Sequence, residues 1–191
     1  MLAEPLAVTR LVTDALNELG VPYAIGGSLA SAVHGVMRAT MDADLVALLI
    51  PQHADPLVVQ LEGAFYVDAH AVRNAIRRNG SFNLIHLDTM FKVDVFAARE
   101  RAFDRAQLER RELQVLSESP EYAAYVISAE DIVLAKLEWY QAGGGVSDRQ
   151  WRDVLGVIQV QGDQLDSDYL RRMASTLDVQ DLLAKALAEA R

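Results

Sequence analysis

Along the first twenty residues, Leu6, Val12, Leu16 and Leu19 recur at spacings suited to an amphipathic helix over 5–19, which Gly20 and Pro22 would stop. Tyr23 to Ile25 reads as a short strand. After Gly26 and Gly27, Ser28 is placed to cap a helix carrying Leu29, Ala32, Val33 and Val36 at helical spacing. Residues 42–50 then alternate as a strand ending before Pro51, and 56–61 and 68–78 read as helices. Strands follow at 81–87 and 91–97, joined by Asp88-Thr89 as in a hairpin. A charged helix over 100–111 leads to a strand at 113–116.

Beyond Ser117 to Glu121, which includes Pro120, composition turns polar and the pattern changes, so the best domain boundary lies there. Tyr125 to Ile127 offers at most one edge strand. Ser128 caps a helix with Ile132, Val133, Leu137, Trp139 and Tyr140, and Gly143 to Gly145 end it. Ser147 caps another reaching Val160, and helices over 166–175 and 179–190 complete the chain. The expected architecture is α/β or α+β: a small mixed sheet flanked by helices in residues 1–117, then a C-terminal helical domain in 118–191 packed over a cleft.

Composition narrows what such a chain does. It has 191 residues, half of them apolar, enough for a substantial core. There is no cysteine, which excludes disulfides, thiolate metal sites and a thiol nucleophile. The net charge of -9 repels polyanions on average, so a broad electrostatic grip on nucleic acid is not expected. No apolar run is long enough to span a bilayer and no secretory pattern follows Met1, so a cytoplasmic protein is expected.

The chemistry concentrates in three short stretches. Asp42 and Asp44 alternate on one strand and therefore project to one face, where paired carboxylates repel unless a cation joins them. Magnesium, or manganese, takes hard oxygen ligands of this kind together with substrate phosphates. Gly26 and Gly27 let backbone approach an anion, while Ser28 and the first amides of its helix offer donors to phosphate. Asp94, within Lys92-Val93-Asp94-Val95, would supply a third acid, as metal ligand and as acceptor of a proton. Alone, each feature also has a plain structural reading as a turn or a solvated strand residue. Their combination in this order favours a nucleoside triphosphate site.

Other residues are more ambiguous. Arg38 and Thr40 could touch phosphate or simply close a helix-to-strand connection, the latter fitting Thr40 better. Lys136 sits within its helix's apolar stripe, where it either faces an anion or snorkels to solvent. Arg73, Arg77 and Arg78 could form a patch for RNA, with a solvated face the simpler reading. Gly143 to Gly145 lack the Lys-Ser or Lys-Thr of a phosphate loop. His34, His53, His70 and His86 share no ligand spacing, and His34 reads as structural.

Gly26-Gly27-Ser28, then Arg38-Ala39-Thr40-Met41-Asp42-Ala43-Asp44-Leu45, then Lys92-Val93-Asp94, resembles the nucleotidyltransferase superfamily with a DNA polymerase beta-like core. The Arg-x-Thr-x-Asp-x-Asp-Leu form, with Ser128-Ala129-Glu130-Asp131 leading into Lys136, is most similar to the abortive-infection nucleotidyltransferase toxins and their uncharacterised relatives. That resemblance implies phosphate binding at Gly27 and Ser28, metal binding at Asp42 and Asp44, and a third acid at Asp94. It also implies a functional lysine and acid in the helical domain, matched here by Lys136 and Asp153. The expected activity is transfer of a nucleoside monophosphate from an NTP to an acceptor hydroxyl of RNA (for instance a tRNA), a protein or a small molecule, with an antitoxin as a further partner. The alternative is a nucleotide-binding or partner-binding scaffold with little turnover.

Overall fold

The computed structural model describes residues 4–36 and 40–190. In chain order the elements are α1 (Glu4–Glu18), β1 (Tyr23–Ile25), α2 (Gly27–His34), β2 (Asp42–Ala47), α3 (Ala54–Leu61), β3 (Phe65–Tyr66), α4 (Ala69–Arg78), β4 (Ser81–His86) and β5 (Lys92–Ala97). There follow α5 (Ala102–Glu109), β6 (Glu112–Glu118), β7 (Glu121–Val126), α6 (Ala129–Ala142), α7 (Asp148–Gln161), α8 (Ser167–Thr176) and α9 (Gln180–Glu189). The chain divides into two compact units, Met1–Gly26 with Thr40–Val126, and Gly27–Ala39 with Ile127–Arg191. No helix among the described residues is long and apolar enough to cross a membrane.

The first unit is built on one mixed sheet in the order β3-β4-β5-β2-β1-β7-β6. Neighbouring pairs β2/β5 and β1/β7 run parallel; β1/β2, β3/β4, β4/β5 and β6/β7 run antiparallel. Strict alternation makes β2 and β5 two-faced. Ala43, Leu45 and Ala47, with Val93, Val95 and Ala97, are buried on one face, and the intervening residues on the other are half-buried. From α1, Val8, Val12 and Leu16, spaced four apart, are buried. Gly20, at a φ of 66°, ends that helix in a conformation an L side chain rarely adopts. Asp68 caps α4 by accepting from the amides of His70 and Ala71, a cap worth about 1 kcal/mol. Asn79, at a φ of 48°, closes the same helix.

The second unit is helical. Ser128 and Ser147 cap α6 and α7 as their positions in the sequence imply, accepting from the amides of Asp131 and Gln150. Gly35 lets the end of α2 lie directly against α7: a methyl group there would sit 2.9 Å from the Ser31 carbonyl oxygen and 3.0 Å from the Val157 amide. α6 is buried from Ala129 to Leu134 and again at Lys136 and Leu137, while Trp139 in its last turn is exposed.

Three elements differ from the sequence-based expectation. β7 begins at Glu121 and lies inside the sheet between β1 and β6, whereas an edge strand over 125–127 was expected. Its buried positions Tyr122, Ala124 and Val126 alternate correctly, but alanine carries little apolar signal and the parallel pairing Ile25↔Val126 joins distant segments. β3 is two residues long, below the length at which alternation can be read. Ser28 lies inside the first turn of α2 instead of capping it, because the helix already begins at Gly27, whose φ of 55° makes the turn.

Candidate active site

The half-buried face of the first unit's sheet carries the acids. β2 and β5 pair in parallel with Asp44 opposite Asp94 and Asp42 opposite Lys92, so four ionisable residues occupy two adjacent cross-strand positions on one face. On the far side of β5, Asn83 of β4 stands opposite Asp94 and extends the polar row. The Thr40 hydroxyl lies 2.8 Å from the Asp42 carbonyl oxygen and 3.2 Å from its Oδ1, fixing the entry to β2. Gly26 donates its amide to the Asp44 carbonyl oxygen at 2.8 Å, tying the start of the glycine turn to the strand that bears two of the acids.

Lys92 was not singled out by its sequence context, yet it is central here. Its ammonium lies 2.6 Å from Asp94 Oδ2. That hydrogen bond, opposed by burial and reinforced by the charges of Asp94, Asp42 and Asp44, holds the pKa of the Lys92 ammonium above the usual lysine range. The signal was available in principle: a lysine two residues before an acid on an alternating strand must share its face. Among the described residues, no three acidic or histidine side chains stand arranged to hold a metal ion. The donor set nevertheless suits magnesium or manganese, since all candidate ligands are carboxylate oxygens in register. One of them, Asp94, is held by the ammonium of Lys92.

The second unit gathers a different set. Arg149 of α7 donates to the Ser28 hydroxyl oxygen at 3.3 Å. One turn further along α7, Asp153 accepts from the Lys136 ammonium at 2.8 Å, and both side chains are nearly enclosed. Lys136 therefore does not snorkel. Sequence reasoning found Lys136 and Asp153 but not Arg149, which lies on an exposed helix surface without any local motif. Behind these groups, Asp131 is fully buried and accepts from the Ser128 and Tyr169 hydroxyls. Glu130 accepts from the Asp166 amide at 2.8 Å. His34, buried as expected, donates Nε2–H to the Ile127 carbonyl oxygen at 2.7 Å and is structural.

The remaining sequence candidates are simply placed. Arg38 lies outside the described residues. Arg73 pairs with Asp55 at 2.7 Å, and Arg77 donates to the Asn74 side chain, as expected of a solvated face. Gly144 and Gly145 have φ of 79° and 73° and terminate α6.

No protein-family model and no curated protein sequence matches this chain. Solved structures do match. An antigenic nucleotidyltransferase-like protein from Paracoccidioides brasiliensis superposes with a TM-score of 0.55 at 22% identity, over 98% of this chain and 94% of that one. The antibiotic-resistance factor ANT(2'')-Ia in solution gives 0.57 at 14% identity, over 90% and 91%. ANT(2'')-Ia in complex with adenylyl-2''-tobramycin gives 0.54 at 13% identity, over 92% and 98%. At these identities the likeness is one of fold: the chain has the nucleotidyltransferase fold, a mixed sheet flanked by helices, as its sequence led us to expect.

Proposed function

We propose that this protein is a metal-dependent nucleotidyltransferase that moves a nucleoside monophosphate from an NTP to an acceptor hydroxyl. The observation that carries the reading is the register of β2 and β5, which sets Asp44 opposite Asp94 with Asp42 on the same face, in a chain of nucleotidyltransferase fold. Asp42 and Asp44, with Asp94, would hold magnesium or manganese, which when bound neutralises phosphate charge and the leaving pyrophosphate. In the reaction the acceptor oxygen bonds to the α-phosphorus as the bond to the pyrophosphate oxygen breaks. The hydroxyl proton passes to Asp94 at Oδ1, the oxygen other than the one Lys92 holds. Gly27 and Ser28, with Arg149, supply donors suited to phosphate, whereas the Gly26 amide is already given to the Asp44 carbonyl oxygen. Lys136 is engaged by Asp153, so a phosphate role for it requires that pair to open.

The acceptor belongs to the chemistry of hydroxyls on RNA, protein or small molecules. An adenylylated aminoglycoside in one structure of the same fold supports the last class. Incubation with labelled NTPs, magnesium and cell extract tests the proposal: wild-type protein labels an acceptor and Asp42→Ala does not. Equal labelling by both sinks it. A toxin role with an antitoxin partner rests on the motif resemblance alone, and normal growth on ectopic expression would remove it.

One observation favours a second reading, a nucleotide-binding scaffold with little turnover: Asp94 is engaged by Lys92, and no three acids stand ready to hold a metal among the described residues. Thermal stabilisation by NTP that is indifferent to magnesium would favour the scaffold.

A further inference from the structure

We propose that β6 is a pairing edge through which two copies of this chain associate, their β6 strands running antiparallel about a two-fold axis at Gln114 so that the two sheets join. The inference does not depend on the nucleotidyltransferase reading.

Among the described residues, β6 pairs with β7 alone and closes one end of the sheet order, so its outward backbone amides and carbonyls have no strand beside them. The opposite edge is β3, whose two residues offer almost nothing to pair with. β6 has seven residues and carries neither lysine nor proline, which commonly blunt such an edge. Leu113 and Val115, two apart and therefore on one face, are 63% and 62% exposed. A long edge with an exposed apolar strip is suited to another strand, which satisfies backbone and side chains together.

Three constraints select a second copy in one register. Outward hydrogen-bonding groups fall on alternate residues, so two identical antiparallel strands pair only about an axis that passes through a residue. β6 is regular against β7 from Glu112 to Val115 and bulges between Val115 and Ser117. An axis at Gln114 uses residues 112–116 and ends at the bulge. An axis at Val115 runs through the bulge and sets Glu112 against the partner's Glu118 as like charges, and an axis at Leu113 shortens the ladder to three residues. With the axis at Gln114, Leu113 meets the partner's Val115 and Val115 the partner's Leu113, which makes one strip of four apolar side chains. Glu112 lies across from Leu116 of the partner subunit, so within the ladder no carboxylate faces another. Five residues a side is a small interface, and the dissociation constant is expected on the order of tens of micromolar.

Sedimentation equilibrium of the full chain over a concentration series tests this. Wild-type protein is expected to pass from monomer to dimer, and Val115→Lys to raise the dissociation constant about tenfold or more by placing a charge in the apolar strip. A wild-type monomer up to about 1 mM overturns the inference, as does an unchanged constant in folded Val115→Lys, which would put the contact elsewhere. A cross-link reads the register directly. The chain has no cysteine, and residues facing each other in an antiparallel pair have Cα atoms about 4.5–5.5 Å apart, within reach of a disulfide. Under mild oxidation Gln114→Cys is expected to yield a covalent dimer, and Val146→Cys, at a residue 79% exposed in the second unit, is not. Equal cross-linking of the two, or none of Gln114→Cys, overturns the inference. Melting curves establish that each variant is folded, and if Val115→Lys is not, the wild-type series and the cross-link decide.

Discussion

Two lysine-aspartate pairs, one in each unit, differ in kind. Lys92 and Asp94 meet on an open sheet face, with side chains 42% and 21% exposed. Lys136 and Asp153 meet between α6 and α7, with side chains 10% and 8% exposed. Water screens the first pair and offers each partner an alternative, so its members can be rearranged at little cost. The second pair is withdrawn from water, and removing one partner strands a buried charge. The open pair is therefore suited to chemistry and the enclosed pair to holding two helices in register. In the second unit this pattern extends to Asp131, whose carboxylate is buried and taken up by two hydroxyls. In the first unit, charge gathers where a substrate could reach it.

The comparison would break most sharply at the acids themselves. Replacing Asp44 with Asn is expected to lower nucleotidyl transfer by about a thousandfold or more, equivalent to roughly 4 kcal/mol of transition-state stabilisation, with an unchanged melting temperature. Assay of initial rates alongside thermal denaturation checks both halves; a folded variant with wild-type rates would move the chemistry elsewhere. Asp153→Ala should do the reverse, costing about 3–5 kcal/mol of stability in denaturant titration because Lys136 is left buried without its partner. If that loss is under about 1 kcal/mol, the pair is not a structural clamp, and a phosphate role for Lys136 gains ground. Asp131→Ala is expected to cost about 1–3 kcal/mol, since the Ser128 and Tyr169 hydroxyls lose their acceptor. The smallest effect sharpens the contrast best: Lys92→Met should change stability by no more than about 1 kcal/mol. A larger loss would mean that the open pair is structural after all.

Several parts of this picture were legible without coordinates. The period-2 spacing of Asp42 and Asp44, and the placement of Asp94 on a second alternating strand, follow from pleat geometry alone. The caps at Ser128 and Ser147 and the stop at Gly143 to Gly145 are local signals read from a few residues. Ser28 shows where such signals mislead: a serine after two glycines has the composition of a cap, but the positive φ of Gly27 starts the helix one residue earlier. The inner position of β7 could not be read at all, because nothing within Glu121–Val126 says which strand lies on either side.

The sequence by itself determined most of the elements, the faces on which the acids lie and the absence of any thiol chemistry, because these depend on side-chain period, capping and composition over short distances. Only the tertiary structure decided that Asp44 stands opposite Asp94, that Lys92 is held by Asp94, that Arg149 reaches Ser28, and that Lys136 is enclosed with Asp153. Each of these joins groups brought together by strand register or helix packing. Register is chosen by burial summed over the whole sheet, and helix packing by the fit of whole faces, so neither is written in the residues on either side of the contact.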